Sequence, residues 1–147
     1  MLIEISSRNL QKLVVEGRLS ARKRKNLNYH EQMHDPINRM VHALNPGTYV
    51  QPYKHENPDK REVFLILEGR AAVVEFDDNG TIIHQVILDR KKGVYGTEIP
   101  ARTWHMLIAL EPDTLVYEFK DGPYTPIDDK NFAPWAPGEV IEGDNTA

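Results

Sequence analysis

The spacing of apolar residues changes its period along the chain. After Ser6 and Ser7, Leu10, Leu13 and Val14 repeat at i, i+3 and i+4, the period of a helix with one apolar face. A serine oxygen at its start accepts the free N–H groups of the first turn, and Gly17 is the predicted stop. The basic run Arg22-Lys23-Arg24-Lys25 reads as a solvated connector. From about Asn38 to Lys120 the pattern is that of strands. Val63–Leu67 and Ala71–Phe76 are separated by the turn Glu68-Gly69-Arg70. Asp77-Asp78-Asn79-Gly80 is a hairpin signal, because Asn-Gly tolerates the positive φ angles of tight β-turns. Thr81–Leu88, Val94–Ile99, Trp104–Leu110 and Thr114–Lys120 complete the series. Strands at spacings near ten residues, with no helix between them, predict an all-β antiparallel sandwich or barrel. The stretch from Asp121 to Ala147 carries four of the ten prolines, so it forms no long regular element. Its Phe132 and Trp135 are expected to lie across the barrel with their rings buried, and the chain to fray from Gly138 onward.

At 147 residues, with 40% hydrophobic and 27% charged residues, the chain has the size and composition of one packed domain. Its parts are expected to be a helical arm and basic connector (1–27), a β-barrel (28–120) and a proline-rich tail packed on the barrel (121–147). The net charge of −4 argues against a dedicated nucleic-acid binder, which needs a basic surface. Charge is also uneven. Arg8, Lys12, Arg18, Arg22, Lys23, Arg24 and Lys25 face only Glu4 and Glu16 in residues 1–30, whereas nine acids face two lysines in residues 111–147. The two ends therefore attract, within one chain or between subunits. No apolar run approaches the ~20 residues of a membrane span. Met1-Leu2-Ile3-Glu4 lacks the basic-then-apolar pattern of a secretory signal, so the cytoplasm is the expected location.

Cysteine is absent, which excludes disulfides, thiolate nucleophiles, Fe–S clusters and cysteine zinc sites. Patterns of the GxGxxG, Walker and GxSxG kind are absent too. Any metal must then be held by His, Asp, Glu or Tyr. Tyr53 and His55 are two residues apart on a predicted strand and share a face. Glu62 begins the strand expected to return past them, and His105 enters after the turn Pro100-Ala101-Arg102-Thr103. Two imidazoles and one carboxylate with open coordination positions suit Zn²⁺, Fe²⁺ or Mn²⁺. Other readings of the same residues stand beside this one. Glu62 can instead be a strand-end carboxylate paired with Lys60 or Arg61, and Tyr53 can pack and donate a hydrogen bond. His84 shares a face with Ile82 and Val86 and reads as a plain strand histidine. His34 and His42 flank the Asp35-Pro36 turn and carry no spacing argument. Trp104 and Trp135 read as core or lid packing.

The stretches Gly47-x5-Tyr53-x-His55-x6-Glu62-x6-Gly69 and Gly93-x6-Pro100-x-Arg102-x2-His105 resemble the two motifs of the cupin superfamily. A fuller similarity, to the WbuC-type cupin-fold metalloproteins often associated with O-antigen clusters, runs along nearly the whole chain. It passes through Arg24–Glu31, Ala43–Val50, His55, Pro58, Lys60, Glu62, Ile99–His105 and Phe132–Pro137. Two positions depart from the pattern: Tyr53 stands where the first histidine of a His-x-His pair is usual, and Arg102 where a glycine is.

The resemblance implies a cupin or jelly-roll β-barrel and a homodimer. It implies one divalent transition metal (Zn, Fe, Mn or Ni) held by His55, Glu62 and His105, with Tyr53 as a further candidate ligand. His30 and Tyr53 are the candidate proton-transfer groups. Lys60 and Arg102 are the candidate substrate contacts, the guanidinium suiting a carboxylate or phosphate. The function so implied is that of a metal-binding protein acting on a small polar molecule, such as a sugar or sugar nucleotide, in surface-polysaccharide metabolism. An isomerase or epimerase, a hydrolase and a dioxygenase all fit. So does a non-catalytic ligand-binding barrel with a degenerate metal site.

Overall fold

The computed structural model describes residues 1–124 and 131–140. Among the described residues one α-helix precedes ten strands. Helix α1 spans Ser7–Leu19, and the strands are β1 (Arg24–Asn28), β2 (Ile37–Leu44), β3 (Tyr53–Lys54), β4 (Glu62–Glu68), β5 (Ala71–Phe76), β6 (Ile82–Leu88), β7 (Gly96–Ile99), β8 (Trp104–Ala109), β9 (Thr114–Asp121) and β10 (Asn131–Phe132). They form two five-stranded antiparallel sheets, β1-β2-β9-β4-β7 and β10-β3-β8-β5-β6. This is the two-sheet antiparallel architecture that the strand spacing predicts, and the jelly roll that the cupin resemblance implies. No helix among the described residues is long and apolar enough to cross a membrane.

The first sheet is covered on both faces, which explains why β2 and β9 bury residues of both parities. Between the sheets, Leu44, Phe64, Ile66, Val73, Leu88, Ile99, Ala109 and Val116 form the main core. On the outer face, Leu10 and Leu13 of α1 pack on Val41, Ala43 and Leu115. Ser6 caps the helix by accepting a hydrogen bond from the Asn9 N–H. Burying one such leucine is worth roughly 1.5–3 kcal/mol, more than a short helix could supply from its own hydrogen bonds.

Several sequence expectations need correction. Helix α1 runs two residues past Gly17, which packs on β2 instead of ending the helix. A Cβ at Gly17 would lie 3.1 Å from Ala43 Cβ, so glycine lets the helix approach the sheet closely. Half of the basic connector is strand, since Arg24 and Lys25 open β1 and pair with Leu44 and Ala43. Glu62 does not begin a strand that pairs with Tyr53. Strand β3 pairs with β8, and β4 lies in the opposite sheet. Phe132 is half exposed because β10 adds to the outer edge of β3, leaving its ring at the rim.

The attraction between the two ends operates within the chain. Arg22 and Arg24 both reach Glu139, at 2.7 and 2.8 Å, and Arg18 reaches Asp113 at 2.7 Å. Residue 139 is thus held in place where fraying was expected; residues 141–147 lie outside the described residues. Trp135 packs against Phe76 and Trp104 and covers Gly80, whose φ of +85° closes the β5–β6 hairpin.

Candidate functional site

Two elements of one sheet and one of the other bring the predicted trio together. His55 follows β3, His105 lies on β8 directly opposite Tyr53, and Glu62 opens β4 across the interior. All three side chains are almost fully buried. Nε2 of His55 lies 2.7 Å, and Nε2 of His105 3.0 Å, from the same oxygen, Oε1 of Glu62. Two imidazole nitrogens thus converge on one carboxylate oxygen. Burial alone would raise the Glu62 pKa. The His105 and His55 imidazoles outweigh it and hold the carboxyl well below its ordinary range.

Protons decide what the cluster can bind. Nδ1 of His105 lies 2.8 Å from the Thr103 carbonyl, which can only accept, so the proton belongs on Nδ1. Protonated at both nitrogens, the ring pairs with the Glu62 carboxylate; neutral, with its proton on Nδ1, it turns an Nε2 lone pair toward that oxygen. Two such atoms repel unless a proton or a cation lies between them. A histidine that donates one N–H to a backbone carbonyl and offers its other nitrogen inward has the arrangement of a metal ligand with an outer-shell support. Among the described residues no three His, Asp or Glu side chains are spaced as a ready-made cage. The donor set fits a borderline transition metal.

Tyr53 occupies the boundary of the trio. Its hydroxyl donates to Oε2 of Glu62 at 3.1 Å, and its ring packs 4.4 Å from the His105 ring. On its other side it borders a cavity of about 790 Å³ between the sheets, within the usual range for small-ligand sites. The cavity is also bordered by His30, Asn38, Met40, His42, Phe64, Glu118 and Lys120. Tyr53 thus connects cavity and trio through one hydrogen bond.

The remaining candidates separate. His30 borders the cavity, with Nδ1 accepting from the Arg39 N–H at 3.1 Å. Lys60 is buried, and its ammonium donates to the Pro123 carbonyl at 2.6 Å. Arg102 faces outward: its guanidinium meets Asp59 at 3.0 Å and Glu56 at 3.8 Å. The departure from glycine at this position therefore adds a surface ion pair, with Arg102 in the left-handed region at φ 66°. His84 is exposed, 3.9 Å from Glu75.

Sequence reasoning passed over His42, Asn38 and Glu118. His42 Nε2 lies 2.9 Å from Oε1 of Glu118, and both side chains border the cavity. The available signal was the alternation Asn38, Met40, His42, Leu44, which puts all four on one face of β2.

Comparison with known proteins agrees with this architecture. The fold is similar to that of KdgF from Halomonas sp., at 20% identity and a TM-score of 0.54, over 71% of this chain and 82% of that one. It is similar to a cupin 2 domain-containing protein from Halorhodospira halophila, at 14% identity and a TM-score of 0.53, over 81% of this chain and 72% of that one. It is also similar to the capsular polysaccharide assembling protein CapF from Staphylococcus aureus, at 16% identity and a TM-score of 0.56. That match covers 74% of this chain but only 32% of CapF. At these identities the likeness is one of fold, and the fold is that of the cupins. No curated protein matches the chain. A family described as "Domain of unknown function (DUF6016)" matches residues 5–88. That match spans more than half of the sequence, so the chain belongs to the DUF6016 family.

Proposed function

We propose that this is a metal-binding cupin-fold protein of the WbuC type that acts on a small polar molecule of the sugar class in surface-polysaccharide metabolism. His55, Glu62 and His105 would hold one divalent transition metal, and the other parts of the reading depend on this. The observation that carries it is the Thr103 carbonyl, which takes the Nδ1 proton of His105 and leaves Nε2 facing a carboxylate oxygen. When bound, such an ion supplies Lewis-acid polarisation of a carbonyl or hydroxyl. The chain's own residues do the rest. Glu62 lies against both imidazoles, Tyr53 orients it through Oε2, and the cavity that Tyr53 borders would admit the ligand. Tyr53 and His30, which both border that cavity, would be the groups that move a proton. CapF gives the sugar reading a precedent on this fold.

The test is elemental analysis of the full-length protein beside His55→Ala and His105→Ala. One transition metal per chain in the wild type, lost from both variants, is the expected result. Wild-type protein that cannot be loaded overturns the metal reading. One observation favours the second reading, a ligand-binding barrel without metal chemistry. The Tyr53 hydroxyl stands where the family pattern has an imidazole, and it is engaged as a donor to Glu62.

The proposal extends to a cytoplasmic homodimer built on one domain with a helical arm, a barrel and a tail. Leu2 and Ile3, exposed ahead of α1, are apolar surface for a second copy. Light scattering of the wild type beside Ile3→Ser tests it, and a monomeric wild type sinks it.

A further inference from the structure

Asn38 has no place in the metal reading. Its side chain is 1% exposed and borders the cavity, yet neither the amide nitrogen nor the amide oxygen has a hydrogen-bond partner among the described residues. Folding gains nothing from such a group, since an apolar residue of the same size would avoid its desolvation. Asn38 does not stand alone. In register across the sheet it sits opposite Lys120, and its neighbour Met40 sits opposite Glu118. Glu118 is buried and its carboxylate is held by His42 at 2.9 Å. Phe64, opposite Glu118 on β4, supplies an apolar surface to the same cavity.

We propose that Asn38, with the His42–Glu118 pair, forms a second polar subsite that binds a neutral polyhydroxylated ligand, a sugar or its alditol, on the cavity side of Tyr53. The chemistry selects this class. A carboxamide offers one donor and one acceptor side by side, the complement of a hydroxyl that both accepts and donates. Glu118 adds an acceptor for a second hydroxyl, and among the lining residues the charges of Glu31 and Glu118 are matched by those of Lys25 and Lys120, so they call for no ionic ligand. Arg22 and Arg24, also at this cavity, are engaged with Glu139. The Phe64 ring lies on the same sheet beside these polar groups, so one wall offers both hydroxyl partners and an apolar surface to a pyranose. The subsite rests on the proposed sugar reading of this cavity but makes no contact with the trio.

The test is thermal shift and equilibrium dialysis of full-length protein with a panel of hexoses and hexitols, against cyclohexanol, hexanol and hexuronates. At least one hexose or hexitol is expected to raise the wild-type Tm, with the alcohols inert. Asn38→Leu, without ligand, is expected to raise Tm by ~2–6 °C. It should weaken sugar binding at least tenfold and leave metal content unchanged. The isosteric Glu118→Gln should also weaken binding, so the subsite remains testable if Asn38→Leu does not fold.

Three results overturn the proposal: no hydroxylated compound shifting Tm, a shift equal in wild type and both variants, or a shift confined to the hexuronates. Elemental analysis separates the two claims. Sugar binding that depends on Asn38 in a protein without metal sinks the metal reading alone. Bound metal with no dependence on Asn38 or Glu118 sinks the subsite alone.

Discussion

The two halves of the barrel interior are built from the same strands and differ in what they spend their side chains on. Along β4 the inward residues run Glu62, Phe64, Ile66, and along β9 they run Lys120, Glu118, Val116, Thr114. At one end Ile66, Val116, Val73 and Leu88 form a dry core. At the other, the same sheets bury Asn38, His55, Glu62, His105, Glu118 and Lys120. One alternation of inward and outward residues supports both. The periodicity of a strand states which residues face inward, but not whether inward means core or site.

The largest effect should come from the apolar half. Ile66→Ala removes packed volume that neighbouring strands cannot refill, and a loss of ~2–5 kcal/mol is expected in urea denaturation. A loss below that of an exposed residue such as Ile82 would mean the core lies elsewhere. In the polar half the sign should reverse. Asn38→Leu makes the wall more core-like and should gain ~1 kcal/mol in the same assay, since it removes an unsatisfied amide. A destabilised variant would show that Asn38 is structural and erase the contrast.

The smallest effect belongs to the tail. Glu139 is held at a pKa of about 2, chiefly by its hydrogen bond to Arg22 and then by Arg24. A carboxyl whose pKa is depressed by folding contributes in full above its ordinary value of 4.5, and the contribution is lost as pH falls through about 2. Exposed pairs are worth ~0.2–1 kcal/mol. Glu139→Gln should cost that much at neutral pH and remove the acid-dependent step in the fluorescence of Trp135. An unchanged acid profile would detach the tail from this ion pair.

Local signals were legible in the chain and long-range ones were not. The β5–β6 hairpin is readable because Asp77 accepts from the N–H groups of Asn79 and Thr81 within the turn itself. The Ser6 cap is equally local. Gly17 misleads because its role depends on Ala43, a residue on another element. Strand β1 is hidden because a charged edge strand with an exposed face carries no apolar alternation. His55, Glu62 and His105 could be picked out as candidates from spacing and family pattern. That Glu62 approaches them from the opposite sheet could not.

The sequence by itself determined that strands would dominate, where several turns fall and that any metal would have to be held without cysteine, because propensity, turn chemistry and composition are properties of neighbouring residues. Only the tertiary structure decided that Arg102 faces solvent, that Tyr53 borders both cavity and trio, and that Asn38 is buried without a partner among the described residues. Each of these depends on which strands meet. That is set by the burial of two sheets and a helix against one another, not by any short stretch of chain.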